Sequence, residues 1–403
     1  MIQQIVRGSV FVVALVLSPF AYADEDHWSL SGFATLGAVR SNTNLGTFAI
    51  PGQLSGATQS FDFGVDSKIG IQGTYKLNSQ LSVTAQLISK KNDQNNWNPK
   101  TEWFFGKIQA QPNLAFRFGR IGLPLFLVSD FRDVNFANPW TRPPLDVYAQ
   151  APLSHFDGGD VLWDFPIGNT ILSTQFLMGR SQSSFQGLTN KAKSLVGMNA
   201  TIDFNNGLKL RLGKVKSNFS IVNNDITVLT EVLPQLGFDD LAQQLKIENR
   251  HATFSGLGLS YDEGRWIALA EYTTRRTDSF VSDTTGWYAT VGHRFGAVTP
   301  YVTFGKRIVD DSNLVNSIPV TPFPPLEALR LGIDEIIDCQ NISQRTLAVG
   351  FRWDIYSNTS LKMQLERVRA KSLLCPSAAG QFIHVKPGFQ GATLLGISLD
   401  VLF

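Results

Sequence analysis

A two-residue alternation of apolar and polar side chains that returns sixteen times most restricts what this chain can become. It begins with Trp28, Leu30, Gly32, Ala34, Leu36 and Ala38 on one face, with smaller or polar residues mostly on the other. Phe61 to Tyr75 and Leu81 to Leu87 repeat it on either side of a tight turn at Asn78, Ser79 and Gln80. Further strands are expected near 101–111, 114–120, 155–165, 170–180, 194–204, 207–217 and 249–262. The series continues near 265–277, 284–295, 298–308, 342–355, 360–371 and 390–403. Short turns (Pro112-Asn113, Asn205 to Gly207, Glu263-Gly264, Gly296-Ala297) alternate with long loops at 41–60, 121–154, 218–248, 309–341 and 372–389. A bilayer offers backbone groups no hydrogen bonds, so a sheet that crosses it must close and leave no edge. An even strand count with short turns at one end and long loops at the other is what such a barrel requires. A secreted β-sandwich or β-helix also alternates, but it does not need that rhythm. The expected fold class is all-β, a transmembrane antiparallel β-barrel of 16 strands.

Helices offer no competing route. Residues 1–23 read as a signal peptide: Arg7 is the basic n-region, Val10 to Leu17 the apolar stretch, and Ala21-Tyr22-Ala23 the cleavage site. That stretch is shorter than the 20 or so residues a membrane helix needs, and no later run of about 18 apolar residues exists. Without the leader, 34 basic residues face 33 acidic ones, a balance that points away from a nucleic-acid partner. The domain reading is therefore a signal peptide over 1–23 and a barrel over 24–403.

The stretch 121–154 fits no element template, because Pro124, Pro139, Pro143, Pro144 and Pro152 interrupt any helix or ladder. A structureless loop of this length belongs in a compact domain only if it is functional. It is expected to fold into the lumen, where Leu125, Phe126, Leu127, Phe131, Phe136 and Trp140 anchor it to the wall. Its Asp130, Asp133 and Asp146 would form the acidic side of a pore constriction. Alternation places Arg117, Arg211, Arg294 and Arg352 opposite apolar neighbours, as the basic side. Opposed fixed charges across a narrow wet gap orient polar solutes and select ions. The competing reading has Arg132 and Arg142 pairing with those same Asp residues to hold the loop's own fold.

Aromatic residues near strand ends, where a ring is apolar on one side and wet on the other, mark the membrane interface. Trp28, Trp266, Trp287 and Trp353 are the expected markers, with Trp103, Trp163, Tyr272 and Tyr301 near other strand ends. Cys339 and Cys375 lie eighteen residues on either side of the turn at Ser357, which puts both at the long-loop end. In an oxidising compartment they are expected to form a disulfide. Ile226 to Leu245 has helical spacing broken by Pro234. The five His residues show no metal-ligand spacing, and there is no phosphate-binding Gly loop or G-x-S-x-G elbow. No enzyme, metal or cofactor is expected. His293, on the apolar face of its strand, is the one position a catalytic pair would need.

Thr393, Leu395, Ile397, Leu399, Val401 and Phe403 form one face of the last strand. A final amphipathic strand ending in Phe resembles that of Gram-negative outer-membrane proteins, where the barrel-assembly machinery reads it as a signal. With the leader and sixteen strands, the chain is similar to the general diffusion porins. That resemblance implies an outer-membrane channel passing small hydrophilic solutes and ions passively, surrounded by outer-membrane lipid and lipopolysaccharide. It also implies a homotrimer with an inward-folded third long loop, here 121–154. Many porins carry Pro-Glu-Phe-Gly-Gly in that loop. This chain instead has Arg120 to Pro124, then Asn138-Pro139-Trp140 and Arg142-Pro143-Pro144, more like proteobacterial porin-like proteins without an assigned substrate. The alternatives are a substrate-specific outer-membrane channel and a plugged barrel serving surface binding or adhesion.

Overall fold

The computed structural model of the chain describes residues 27–185, 188–311, 314–370, 375 and 378–403. The leader read over 1–23 lies outside the described residues. The strands begin with β1 (Trp28–Ser41), β2 (Thr47–Phe48), β3 (Lys68–Lys76), β4 (Leu81–Lys90), β5 (Lys100–Gln111) and β6 (Leu114–Gly122). The middle of the chain contributes β7 (His155–Ile167), β8 (Thr170–Phe185), β9 (Leu188–Asp203), β10 (Leu208–Val222), β11 (Arg250–Glu263) and β12 (Trp266–Thr277). They end with β13 (Asp283–His293), β14 (Val298–Asp311), β15 (Gln344–Tyr356), β16 (Thr359–Ala370), β17 (Ala378–Ala379), β18 (Phe382–Ile383) and β19 (Ala392–Leu402). Sixteen of them close one antiparallel barrel, while β2, β17 and β18 form a separate small sheet. The ring closes where β1 pairs with β19, Ala34 opposite Val401 and Leu36 opposite Leu399. At that seam the Phe403 ring lies on Gly32, where a Cβ would sit 2.2 Å from the ring and push it aside.

The alternation sorts side chains as the period of two demands. Leu30, Leu36, Phe118, Met178 and Leu212 are exposed on the outer face, and Thr290, Thr303, Thr346 and Ser398 are buried on the inner one. No helix among the described residues is long and apolar enough to cross a membrane.

Local chemistry moved three boundaries. The strand expected from Phe61 starts at Lys68, because the Asp62 carboxylate accepts from the amides of Gly64 (2.7 Å) and Val65 (2.9 Å) and turns the chain. The hairpin expected to open beyond Arg180 keeps pairing, from Ser181 opposite Ala192 to Phe185 opposite Leu188, after a bulge. The spacing over 226–245 becomes α2 (Asn224–Gln235) and α3 (Asp239–Leu245), α2 capped by Asn223. A further helix, α4 (Pro324–Cys339), occupies the loop at 309–341. Together α2, α3 and α4 bury Leu233, Leu241, Leu245 and Ile333 against Phe280.

Candidate channel lining

Pro124 ends the ladder beyond Gly122, and the chain up to Ser154 is then held by side chains rather than by strand pairing. Two 3-10 turns (Ser129–Phe131 and Asn135–Ala137) and a single helical turn, α1 (Leu145–Tyr148), are its only regular elements. Its first part is apolar. Leu123, Leu125, Phe126 and Val128 join one cluster with Phe156, Leu177, Leu195, Val215 and Phe254 from β7 to β11. Its second part is anchored by polar groups on the opposite arc. The Trp140 indole N–H donates to the hydroxyls of Thr290 (2.9 Å) and Thr303 (3.1 Å). Arg142 donates twice to Asp66 (2.9 and 2.7 Å) and once to Glu366 (2.8 Å), all three groups buried. Lys362 donates to the Trp140 carbonyl (3.1 Å) and the Asn135 carbonyl and pairs with Asp400 at 3.0 Å. A buried charge persists only when partnered; each of these is. Under α1 the wall residues are Gly286 and Gly305, where a Cβ would stand 2.5 Å from the Asp146 carbonyl and 2.6 Å from its carboxylate. Glycine lets the helical turn lie against the strands.

The expected acidic and basic residues divide into several settings. Asp133 meets Lys90 at 2.9 Å, Lys68 at 3.6 Å and Arg132 at 3.9 Å. Burial alone would raise its pKa, but the lysine charges outweigh that and hold it well below the usual carboxylate range. Asp130 is exposed and acts electrostatically on Arg211, which donates to the Pro124 carbonyl at 3.1 Å. Asp146 is buried in α1, where one carboxylate oxygen accepts from Gln344 at 3.2 Å and Thr346 and Arg307 also favour its charge. Burial pushes its pKa up to about 6. Arg352 donates to the Phe136 carbonyl, lies 4.6 Å over the Phe136 ring and pairs with Asp354. Arg117 forms a two-bonded pair with Asp160 (2.9 and 2.5 Å). Arg294 stands apart: it follows the last residue of β13 and folds back onto Asp262 and the Gly264 carbonyl at the short-turn end. Arg142 selects Glu366 on β16 and Asp66, in the turn before β3, instead of an Asp of its own loop. The cluster thus includes Lys68, Lys90, Asp66, Lys362 and Glu366, which sequence reading passed over. Their signal was the alternation itself, since Lys68 precedes exposed Ile69 and Lys362 precedes exposed Met363.

Beside Asp133 opens a cavity of about 930 Å³. Lys68, Lys90, Lys91, Lys100 and Arg132 line it against Asp93, Glu102 and Asp133, and Arg120, Arg180, Lys191 and Lys193 reach it against Asp157. Positive charge exceeds negative on its surface.

At the short-turn end, exposed rings gather in pairs. Trp28 lies 4.5 Å from Tyr75, Trp163 lies 4.5 Å from Phe165, and Trp266 lies 4.6 Å from His293. Trp353 and Phe403 are exposed at the same end. Trp287 is nearer the long-loop end, beside Phe304 at 5.4 Å. Two residues named with them turn inward: Tyr301, on the face of Thr299 and Thr303, donates to Gln364, and Trp103, at a bulge, packs on the inner cluster. A disulfide joins Cys339, the last residue of α4, to Cys375.

Comparison with known proteins decides the family. A family model described as Gram-negative porin matches residues 9–381. The chain belongs to the Gram-negative porins. The porin's fold is shared with Salmonella typhi OmpF solved with daunomycin (12% identity, TM-score 0.55, 95% of this chain and 99% of that one). The anion-selective porin of Comamonas acidovorans matches at 11% identity and TM-score 0.54 over 93% and 99% of the two chains. The outer membrane channel DcaP of Acinetobacter baumannii matches at 9% and 0.54 over 95% and 99%. No curated protein matches the sequence. This porin is an outer-membrane channel for passive diffusion.

Proposed function

We propose that residues 123–154 lie inside the barrel and narrow it, and that the porin prefers small anionic hydrophilic solutes. The observation that carries the preference is the cationic excess around the cavity beside Asp133. Fixed charge lining a wet, low-dielectric passage raises the local concentration of counter-ions. The inward position is supported by the loop's partners, which run from Glu271 on β12 through Thr290, Thr303, Lys362 and Glu366 to Asp66. A segment of this length reaches so many strands of a closed ring only from within it. Asp133 with Lys68 and Lys90 is the constriction cluster, Asp130 and Arg211 flank it, and Arg117 and Arg352 are wall groups held by partners. Asp146 is an anchor rather than a lining residue.

The leader over 1–23 would be removed on export, leaving 24–403 as the barrel. Trp28, Trp266, Trp353 and Phe403 would sit at the inner lipid interface and Trp287 at the outer one. The final strand would be presented to the barrel-assembly machinery. A homotrimer is the proposed assembly, the form in which Vibrio cholerae OmpT has been solved at 10% identity and TM-score 0.51; cross-linking in detergent tests it. We read no catalysis: the His293 ring packs between Trp266 and Phe295.

The test is single-channel conductance of the refolded porin in planar bilayers, with the reversal potential taken in a salt gradient. Ohmic openings with an anion-selective potential are expected. A cation-selective potential would overturn the preference, and a silent bilayer would overturn the open lumen.

A further inference from the structure

The cavity beside Asp133 carries two chemistries on its surface. Lys68 and Lys90 stand opposite each other across β3 and β4, and Arg132 joins them, so three cations share the single Asp133 carboxylate. Lys91 and Lys100 are matched one to one, by Asp62 at 3.4 Å and Asp93 at 3.3 Å. Glu102, within electrostatic reach of Lys90, faces His155 at 3.9 Å. The positive excess is therefore local to Lys68, Lys90 and Arg132.

Apolar groups stand beside those cations. Ile88 precedes Lys90 by two residues on the inner face of β4 and lines the cavity with it. Ile50 and Pro51 of the first long loop line it too, as do Ala151, Pro152 and Leu153 on the return limb of the 123–154 segment. Ile50, Ala151 and Leu153 each rest against a buried apolar cluster, and Pro152 is exposed. The next two residues, Ser154 and His155, reach Glu102, which keeps this limb beside Lys90. Wet apolar surface offers a purely hydrophilic anion nothing to bind, whereas a solute with an apolar body removes that surface from water. Pockets of roughly 300–1,000 Å³ that combine apolar walls with a few placed polar groups enclose small organic ligands and fix their orientation. At about 930 Å³ this cavity falls within that range.

We propose that the cavity is a binding site for organic anions with an apolar body, a carboxylate carried on a ring. Lys68, Lys90 and Arg132 take the carboxylate, and Ile50, Pro152 and Leu153 take the ring. The inference rests on the anion preference proposed above and narrows it. The test measures block of single-channel chloride current through the full porin by benzoate, by acetate and by uncharged benzamide, each added on the long-loop side at neutral pH. Benzoate should reach half-block at a concentration about tenfold below that of acetate. High salt should weaken it, and benzamide should leave the current as it was. I50S/P152S should bring benzoate to the acetate value, and K90Q should weaken both anions. Equal potency of benzoate and acetate in a channel that still selects anions would overturn this inference alone. A cation-selective reversal potential would overturn the reading beneath it, and this site with it. Block by benzamide equal to that by benzoate, or an I50S/P152S variant with the wild-type margin, would also overturn the site. The wild-type comparison decides the matter even where a variant fails to refold.

Discussion

Arg142 ties the loop to two largely buried carboxylates, Glu366 on β16 and Asp66 in the turn before β3. Removing one partner of such a group leaves the others charged, buried and unpaired, at a cost of about 3–5 kcal/mol. Arg142→Leu should therefore lower the unfolding free energy in micelles by that order, read as a shift in the urea midpoint. A change below about 1 kcal/mol would mean that water enters the site and that the loop is not sealed there. Asp133 works at the same scale but on conduction. Asp133→Asn leaves Lys68 and Lys90 uncompensated, so the reversal potential should move further toward anion selectivity while the unit conductance changes little. An unchanged reversal potential would place Asp133 outside the ion path. Alternation assigned each strand charge to a face of its strand without knowledge of contacts. It could not reveal partners: Asp66 and Glu366 are 76 and 224 positions from Arg142, and only ring closure brings them to one point.

At the scale of elements, α1 is the piece whose stability should depend on pH. In the unfolded chain its Asp146 titrates near 3.8, and in the fold burial raises it to about 6. The fold therefore favours the protonated carboxyl, a contribution fully present below about pH 4 and lost as pH rises through about 6, worth about 3 kcal/mol at most. Asp146→Asn should melt like wild type at pH 4 and above it at pH 7, the difference opening between those values. A parallel pair of curves would sink the assignment. The disulfide ties the end of α4, so Cys339→Ser with Cys375→Ser should speed proteolysis of that helix and leave conductance alone. Slower conductance would show that the helical cap touches the ion path. Strands and turns were legible here, down to Pro112-Asn113 and Glu263-Gly264. The helix α4 was also written plainly, with Pro324 and Pro325 opening it and Leu326, Leu329, Ile333 and Ile337 at helical spacing. It was hidden by its place inside a long connection. The 123–154 fold was not legible, because its shape is dictated by the wall it lies on.

For the whole molecule, wall and loop are separable. None of the ladder pairs uses a residue between 123 and 154, so deleting 125–150 should leave a barrel that still resists unfolding and conducts several-fold more current. A deletion protein that fails to refold would show that the loop braces the wall. Ring order was readable from the rhythm of short and long connections, since consecutive antiparallel strands become neighbours.

The seam has a consequence for assembly. Thr35 bonds to Asp400, 365 positions away, and β1 waits on its second neighbour until β19 arrives. Through all earlier stages the growing sheet carries two raw margins of unpaired amides and carbonyls, each able to capture another chain. Joining ends so distant is also slow, because loop closure precedes any reward from contact. A barrel stitched in this way spends its longest-lived intermediate as an open ribbon and needs an escort until the last stitch is made.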